Sequence, residues 1–252
     1  MKTQVTIVGL GTMGRAIAEA ILKNDRQIKV FGISKNNSNT ILAKKNINQS
    51  DFIILAVKPQ KAEEAIAQIK NHLNKKAVLI SIMAGILIKK LVHLSGHKKI
   101  IRMMPNLGLS VGEGIAVWKS FGLSKPEIKK AKNFINKITE NFEVKNEDTI
   151  NKTTAISGSG PAYFFLLAQC LSASAMKLGL TKEESQKLVE KTFSAGALLG
   201  EGENYSALIK KIASKGGTTE AALKVFRKEN FSGTIFKAVS AAYKRAKEIS
   251  HE

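Results

Sequence analysis

The sequence predicts an α/β fold, with a doubly wound, mostly parallel sheet in the N-terminal part and an all-α C-terminal domain. In the N-terminal part, short apolar runs bounded by turn residues alternate with segments of helical period. A glycine-rich turn follows the first apolar run, and from Thr149 onward no strand pattern is evident. Buried parallel strands read as such apolar runs, and repeated strand–helix–strand units imply a doubly wound sheet.

The N-terminal elements follow from this alternation. Strands are predicted at residues 5–8, 28–33, 52–57, 78–82, 100–103 and 114–118. Helices are predicted at residues 13–22, 61–73, 87–94 and 124–141. The connection 34–50 is rich in Asn and Lys, so its crossover helix is expected to be short or irregular.

The C-terminal part shows only helical periodicity, so we predict two domains, residues 1–147 and 148–252. Its helices are predicted at residues 161–178, 182–199, 206–213, 218–228 and 234–249. Residues 162–176 are apolar almost all round but too short to span a bilayer. We therefore expect this helix to be buried, either as the central helix of its domain or in a subunit interface.

Composition argues against several function classes. The formal charge of +20 is typical of nucleic-acid binding, but only five of the 40 cationic residues are Arg and the lysines are scattered. A lysine-rich solvated surface explains this pattern better. No membrane helix, signal peptide or metal site is predicted, and a cytoplasmic protein is expected. The single cysteine, Cys170, is expected to be a buried structural thiol.

The first apolar run ends in a glycine turn that is typical of a Rossmann-like dinucleotide site. In the G-x-G-x-x-G pattern, Gly9 permits the tight turn, Gly11 lets the backbone approach a pyrophosphate, and Gly14 lets the helix pack on the strand. The helix N-terminus that follows, with Thr12 and Met13, presents free N–H groups to the phosphates. The turn therefore predicts a dinucleotide cofactor.

The residues after the second strand favour NADPH over NADH. An NAD site carries an acidic residue here that binds the ribose 2′-hydroxyl. This chain instead has Ser34 and Lys35, which would accommodate a 2′-phosphate. NADH is expected to work at lower efficiency.

Four further motifs resemble those of the pyrroline-5-carboxylate reductase family, in the same order and over essentially the whole chain. They are Ala56-Val57-Lys58-Pro59-Gln60, Arg102-Met103-Met104-Pro105-Asn106, Ser157-Gly158-Ser159-Gly160-Pro161-Ala162-Tyr163 and Ser214-Lys215-Gly216-Gly217-Thr218-Thr219. The resemblance implies NADPH-dependent reduction of the cyclic imine 1-pyrroline-5-carboxylate to L-proline, the last step of proline synthesis. It also implies dimers formed through the helical domain, often assembled further.

The resemblance assigns the loop before the helix at 218–228 to the substrate. Because this loop precedes a helix, its successive exposed N–H groups can form an anion site for a carboxylate, and Gly216, Gly217 and Thr218 are the expected substrate-binding residues. Ser214 and Thr219 take the places of the family's substrate-contacting hydroxyls, and Thr219 is the candidate for the hydrogen bond to the imine nitrogen. Helix capping alone would explain the hydroxyls but explains the glycine pair less well.

Other motif residues are implied to contact the cofactor or to line the substrate side. The cofactor contacts are expected at Ala56, Val57, Lys58 and Pro59, which follow a strand, and at Asn106, near the nicotinamide. The segment that opens the long apolar helix, with Ser159 and Gly160, is expected on the substrate side.

Two departures from the family pattern leave alternatives open. Lys215 stands where the family usually has proline, and either adds a cation beside the carboxylate or loosens the loop. Leu107-Gly108 replaces Thr-Pro and removes a hydroxyl from the nicotinamide side. The alternatives are a non-catalytic NADP-binding sensor or another imine or 2-keto acid reductase of the same plan. A β-hydroxyacid dehydrogenase would need a catalytic lysine where this chain has Ser159-Gly160-Pro161.

Overall fold

The structure is a computed structural model that describes residues 2–34 and 41–251. The chain groups into two compact units. The first consists of Met1–Ser159 together with Ala241–Glu252, and the second of Gly160–Ser240.

The first unit is built on a seven-stranded sheet, and the predicted doubly wound α/β class is confirmed. Its strands are β1 (Gln4–Val8), β2 (Lys29–Ile33), β3 (Phe52–Leu55), β4 (Val78–Ser81), β5 (Ile100–Pro105), β6 (Ile115–Phe121) and β7 (Glu140–Glu143). The strand order is β2-β1-β3-β4-β5-β6-β7, and every neighbouring pair is parallel except β5 and β6. The order therefore reverses direction between β1 and β3.

Helices cover both faces of this sheet. Those of the first unit are α1 (Thr12–Asn24), α2 (Ile41–Gln49), α3 (Ala62–Ile69), α4 (Ile88–Ser95), α5 (Lys125–Ile135) and α6 (Asp148–Thr153). One apolar cluster joins α1 and α5 to the sheet, and a second joins α2, α3 and α4 to it. The central strands β3 and β4 are buried at every position, which explains their unbroken apolar runs.

The predicted helix at 124–141 is wrong beyond Ile135. Helix α5 ends there, and residues 140–143 form β7, which pairs in parallel with β6. A side-chain hydrogen bond also joins the two strands: Trp118 Nε1 on β6 donates to Asn141 Oδ1 on β7 over 2.9 Å. Because β7 is an edge strand with mostly exposed side chains, it lacks the apolar run by which the other strands are recognised.

The second unit is helical over its described residues, as predicted. Its helices are α7 (Gly160–Lys177), α8 (Lys182–Gly200), α9 (Tyr205–Ile212) and α10 (Thr218–Lys228), and α11 (Phe231–His251) begins in it. A π-helical turn at Thr154–Gly158 precedes α7. None of these helices is long and apolar enough to cross a bilayer, within the part of the chain that the structure describes.

Most of helix α7 is left exposed by the residues that the structure describes. Gly160 is its only buried residue, while Phe164, Phe165 and Leu166 are each at least 60% exposed. The reading of α7 as an ordinary central helix is therefore wrong for the single chain. The expectation for Cys170 is also wrong, because the thiol lies on this uncovered helix and is exposed.

A polar network around a buried arginine joins β5 to α6. The fully buried Arg102 on β5 donates to Glu147 Oε1 over 3.0 Å and to Asn151 Oδ1 over 2.7 Å. Burial lowers the pKa of the Arg102 guanidinium, while its hydrogen bond to Glu147 opposes that change. The same Glu147 oxygen accepts the backbone N–H of Ile88 at the start of α4. One carboxylate thus joins β5, α4 and the segment that leads into α6.

The end of α11 packs against the same region of the first unit. Tyr243 donates its hydroxyl to Asp148 Oδ2 over 2.7 Å. This bond lowers the pKa of Asp148 and raises the pKa of Tyr243. Ile249 lies against Gly85, where an added Cβ would meet its side chain at 2.2 Å.

These shifts predict how the Tyr243–Asp148 bond contributes to stability with pH. Asp148 has a lowered pKa in the folded chain, so its contribution is present above its unfolded value of 3.8 and is lost as the pH falls through the folded value. Tyr243 has a raised pKa, so the contribution is also lost in alkali, as the pH rises through that raised value.

We therefore expect Tyr243→Phe to lower the free energy of unfolding at neutral pH, with a deficit that shrinks in acid, below the unfolded Asp148 value of 3.8. Urea unfolding at fixed protomer concentration measures it, with Tyr205→Phe as the control because Tyr205 is 73% exposed. A deficit of constant size from neutral pH into acid would contradict this assignment.

Candidate functional site

A crevice of the first unit lies where the strand order reverses. Strands β1 and β3 are neighbours, and their connections leave in opposite directions. Gly9 follows β1 and Ala56 follows β3, so both residues lie at the carboxyl edge of the sheet. Open α/β sheets bind ligands at this kind of switch point.

Glycine is required at different positions of the turn for different structural reasons. Gly9 has φ +102°, and a Cβ there would meet the Ala56 carbonyl oxygen at 2.7 Å. A Cβ on Gly14 would lie 2.0 Å from the Gly9 carbonyl oxygen, so only glycine lets α1 come this close to the turn. A Cβ on Gly11, in contrast, meets no other atom of the described residues within 4 Å. The space beside Gly11 is therefore open to a ligand.

The crevice above this turn has a volume of about 300 Å³. The residues that line it are Val8, Gly9, Gly11, Ile33, Ser34, Ala56, Val57, Lys58, Lys61, Glu64, Ala65 and Gln68. Of the predicted cofactor residues, Gly9, Gly11, Ser34, Ala56, Val57 and Lys58 are brought together here. Lys35 lies outside the described residues.

Other predicted cofactor residues lie beside the crevice rather than in its wall. Thr12 and Met13 begin α1, Gly14 packs beneath the turn, and Pro59 starts a short 3₁₀ turn. Asn106 follows β5 at the same edge of the sheet. Its Oδ1 accepts the backbone N–H of Ile115 over 3.0 Å, which closes the loop between β5 and β6.

Sequence reasoning missed three polar residues of the crevice, all on or next to α3. Lys61 forms an ion pair with Glu64 at 3.1 Å, and Gln68 lies one turn further along. Their helical spacing after the Lys58-Pro59 motif was the available signal, since i and i+3 or i+4 positions share one helix face.

The departure at Leu107-Gly108 has a local structural reason. These residues belong to a 3₁₀ turn at Leu107–Val111. A Cβ on Gly108 would meet the Glu113 carbonyl oxygen at 2.4 Å. The loop of this chain therefore requires glycine at 108.

In the second unit, Ser214 to Gly217 form a type II β-turn. The Gly217 N–H donates to the Ser214 carbonyl over 3.0 Å, and Gly216 has φ +75° while Lys215 has a negative φ. Helix α10 begins at Thr218 with Gly217 as its N-cap and no side-chain cap. The first N–H groups of α10 therefore lack intrahelical acceptors and face the loop.

One acidic residue of α10 was missed by the sequence reasoning. Glu220 Oε2 accepts the Gly216 N–H over 2.7 Å, and this bond together with Lys224 lowers the pKa of Glu220. The predicted residues Thr218 and Thr219 are the first two of the helix, and Ser214 is exposed beside them.

The predicted residues Ser159 and Gly160 lie at the junction between the π-helical turn and α7. The Ser159 N–H donates to the Thr154 carbonyl over 2.9 Å. Outside its own helix backbone, a Cβ on Gly160 would meet no atom of the described residues within 4 Å. Single π turns inside helices are frequent at functional sites.

The described residues contain no His, Cys, Asp or Glu cluster that could hold a metal ion. His97 is buried, and its Nε2 pairs with the Ala77 carbonyl at 2.8 Å, which is a structural contact. The two arrangements at the predicted site residues are therefore a glycine turn with open space beside Gly11 in one unit and, in the other, a helix start without a side-chain cap.

Two family models match the chain. Residues 147–249 match pyrroline-5-carboxylate reductase dimerisation, and residues 4–85 match NADP oxidoreductase coenzyme F420-dependent. The pyrroline-5-carboxylate reductase of Aquifex aeolicus is 30% identical, with 98% of this chain and 97% of the relative covered. That of Synechocystis is 32% identical, with 99% of both chains covered.

Solved structures give the same picture. The pyrroline carboxylate reductase of Plasmodium falciparum with NADP bound is 31% identical, with a TM-score of 0.86 and 99% of both chains covered. A pyrroline-5-carboxylate reductase from Coxiella burnetii is 30% identical, with a TM-score of 0.87 over 99% of both chains. The resemblance found from the four motifs is thereby confirmed.

The geometry of the turn predicts opposite outcomes for two glycines. Gly11→Ala keeps an allowed backbone, with φ −73°, and should preserve or slightly raise stability. It should weaken NADPH binding on the order of tenfold, because the methyl group fills the open space beside the turn.

Gly14→Ala should instead destabilise the fold by about 1–3 kcal/mol, because its Cβ would lie against the Gly9 carbonyl oxygen. Thermal unfolding and NADPH fluorescence titration measure both effects; unchanged NADPH affinity in Gly11→Ala would contradict the site.

Proposed function

This chain belongs to the pyrroline-5-carboxylate reductase family, and on that premise we propose which residues carry the reaction. The enzyme reduces 1-pyrroline-5-carboxylate to L-proline with NADPH. The observation that carries this conclusion is the full-length match to reductases of this name, one of them solved with NADP bound. The glycine crevice fits that cofactor.

The cofactor contacts are proposed at the carboxyl edge of the sheet. The open side of Gly11 and the start of α1 would hold the pyrophosphate, with Gly9 and Gly14 shaping the turn. Ser34 and Lys35 remain the candidates for the 2′-phosphate side. Lys58 and Lys61 add cations to the crevice wall, which supports binding of a polyanion. NADPH supplies the hydride, and NADH is proposed as a poorer donor.

The substrate carboxylate is proposed to bind at the start of α10. The N–H groups of Thr218 and Thr219 have no intrahelical acceptor, and the positive end of the helix dipole points the same way. Gly216 and Gly217 let the backbone approach a ligand closely, and the exposed Ser214 hydroxyl adds a donor. This arrangement supports recognition of a small carboxylate.

Thr219 is proposed to hydrogen-bond the ring nitrogen of the imine. As the nitrogen gains electron density during reduction, a hydroxyl donor stabilises it and orients the ring. Ser159 and Gly160 are proposed to line the substrate side.

The family match argues against the sensor and the hydroxyacid dehydrogenase alternatives. The departure at Gly108 is accounted for by its contact with Glu113, and it leaves the anion-binding loop untouched. Loss of activity is not implied by that departure.

The helical region is an oligomerisation region, since residues 147–249 match the dimerisation model. We propose a homodimer whose interface covers the exposed apolar side chains of α7. Such dimers could assemble further into a higher homo-oligomer. Sedimentation equilibrium measures the mass of the assembly, which should be at least twice that of one chain. A cytoplasmic location is also proposed, supported by NADPH dependence and by a single cysteine that forms no intrachain disulfide.

The role of Thr219 is tested by steady-state oxidation of NADPH with 1-pyrroline-5-carboxylate. Thr219→Ala is expected to lower kcat/KM on the order of a hundredfold, because it removes a donor to a group that changes charge in the reaction. The KM for NADPH should not change.

The matched control is Thr192→Ala, which removes a hydroxyl that, among the described residues, bonds only the Leu188 carbonyl on α8. Wild-type rates in Thr219→Ala would refute its assigned role. Tight NADPH binding by the unmodified enzyme without turnover would instead favour the sensor.

A further inference from the structure

The turn at residues 214–217 contains one peptide whose orientation decides its type. Types I and II differ by a flip of the peptide between the second and third residues, here Lys215 and Gly216. The positive φ of Gly216 identifies the observed turn as type II. The flip would exchange the positions of the Gly216 N–H and the Lys215 carbonyl.

Glu220 binds that same peptide. Its Oε2 accepts the Gly216 N–H over 2.7 Å, so a flipped peptide would present the Lys215 carbonyl to a carboxylate. Lys224 lies 3.7 Å from the same oxygen and offsets part of its charge from the helix side. One carboxylate oxygen of Glu220 thus accepts the hydrogen bond from the turn and also faces the cation of its own helix.

We propose that Glu220 is a positioning residue that locks the substrate loop in its type II form. This inference rests on the proposed substrate site. With the peptide fixed, Gly217 and the first N–H groups of α10 keep one arrangement before the substrate binds. Preorganisation of this kind lowers the cost of ordering a loop on binding.

The proposal also accounts for Lys215. Proline is favoured at the second position of a type II turn, where it fixes φ and stiffens the loop. Among the described residues, the Lys215 N–H donates no hydrogen bond, so proline would remove no contact there. Glu220 therefore supplies through a side chain the rigidity that a proline at position 215 would supply through the backbone.

The test is a set of kinetic measurements on the full-length enzyme with NADPH and 1-pyrroline-5-carboxylate. Glu220→Ala is expected to raise the KM for the imine on the order of tenfold, with smaller changes in kcat and in the KM for NADPH. Glu220→Gln keeps an acceptor oxygen and should recover part of that loss. Adding Lys215→Pro to Glu220→Ala should recover most of it.

The matched control is Glu184→Ala. Glu184 makes the same kind of bond at the start of α8, to the Thr181 N–H over 2.8 Å, and this bond also lowers its pKa. The Glu184→Ala substitution should leave the KM for the imine unchanged. An unchanged or lowered KM in Glu220→Ala would overturn the proposal, and so would a double variant no better than Glu220→Ala.

A second readout does not depend on activity. Trypsin cleavage after the exposed Lys215, followed by mass spectrometry, should be faster in Glu220→Ala than in the unmodified chain or in Glu184→Ala. Equal cleavage rates in all three proteins would contradict the proposal that Glu220 holds the turn in place. If the unmodified enzyme did not reduce the imine, the proposed function would fail while this measurement still tested the loop.

Discussion

The close approach of α1 to the turn after β1 is the constraint on which the first unit depends. Gly14 lies against the Gly9 carbonyl, and Gly9 lies against Ala56 at the end of β3. Any side chain at Gly9 or Gly14 would push these elements apart. Because β1 and β3 meet at the reversal of strand order, the same packing opens the crevice on the outer side of Gly11. The packing of the first unit and the proposed cofactor crevice therefore share one cause.

The sequence predicted those parts of the fold where burial produces a pattern. Strands β3 and β4 are buried at every position, so their apolar runs were visible. The edge strand β7 has no such run, so the sequence pattern does not distinguish it from an extension of α5, and only its pairing with β6 defines it as a strand. The exposure of Cys170 was also not predictable, since an apolar helix predicts burial without saying what covers it.

The candidate sites divide in the same way. Local motifs named the glycine turn and the loop at 214–219, because backbone conformation there requires particular residue types. Lys61 and Glu220 were missed because ordinary helical positions carry them, and only three-dimensional contacts bring them to the crevice and to the turn. Lys215 could be recognised as a departure from the family, but its compensation by Glu220 required the structure.

Amide hydrogen exchange on the protein, first with NADP⁺ and then with L-proline added at saturation, tests both proposed sites at once. We expect NADP⁺ to slow exchange at residues 11–13, and L-proline then to slow exchange at residues 218–219, where helix N–H groups lack acceptors. Protection by L-proline elsewhere, with none at the start of α10, would contradict the assigned carboxylate site.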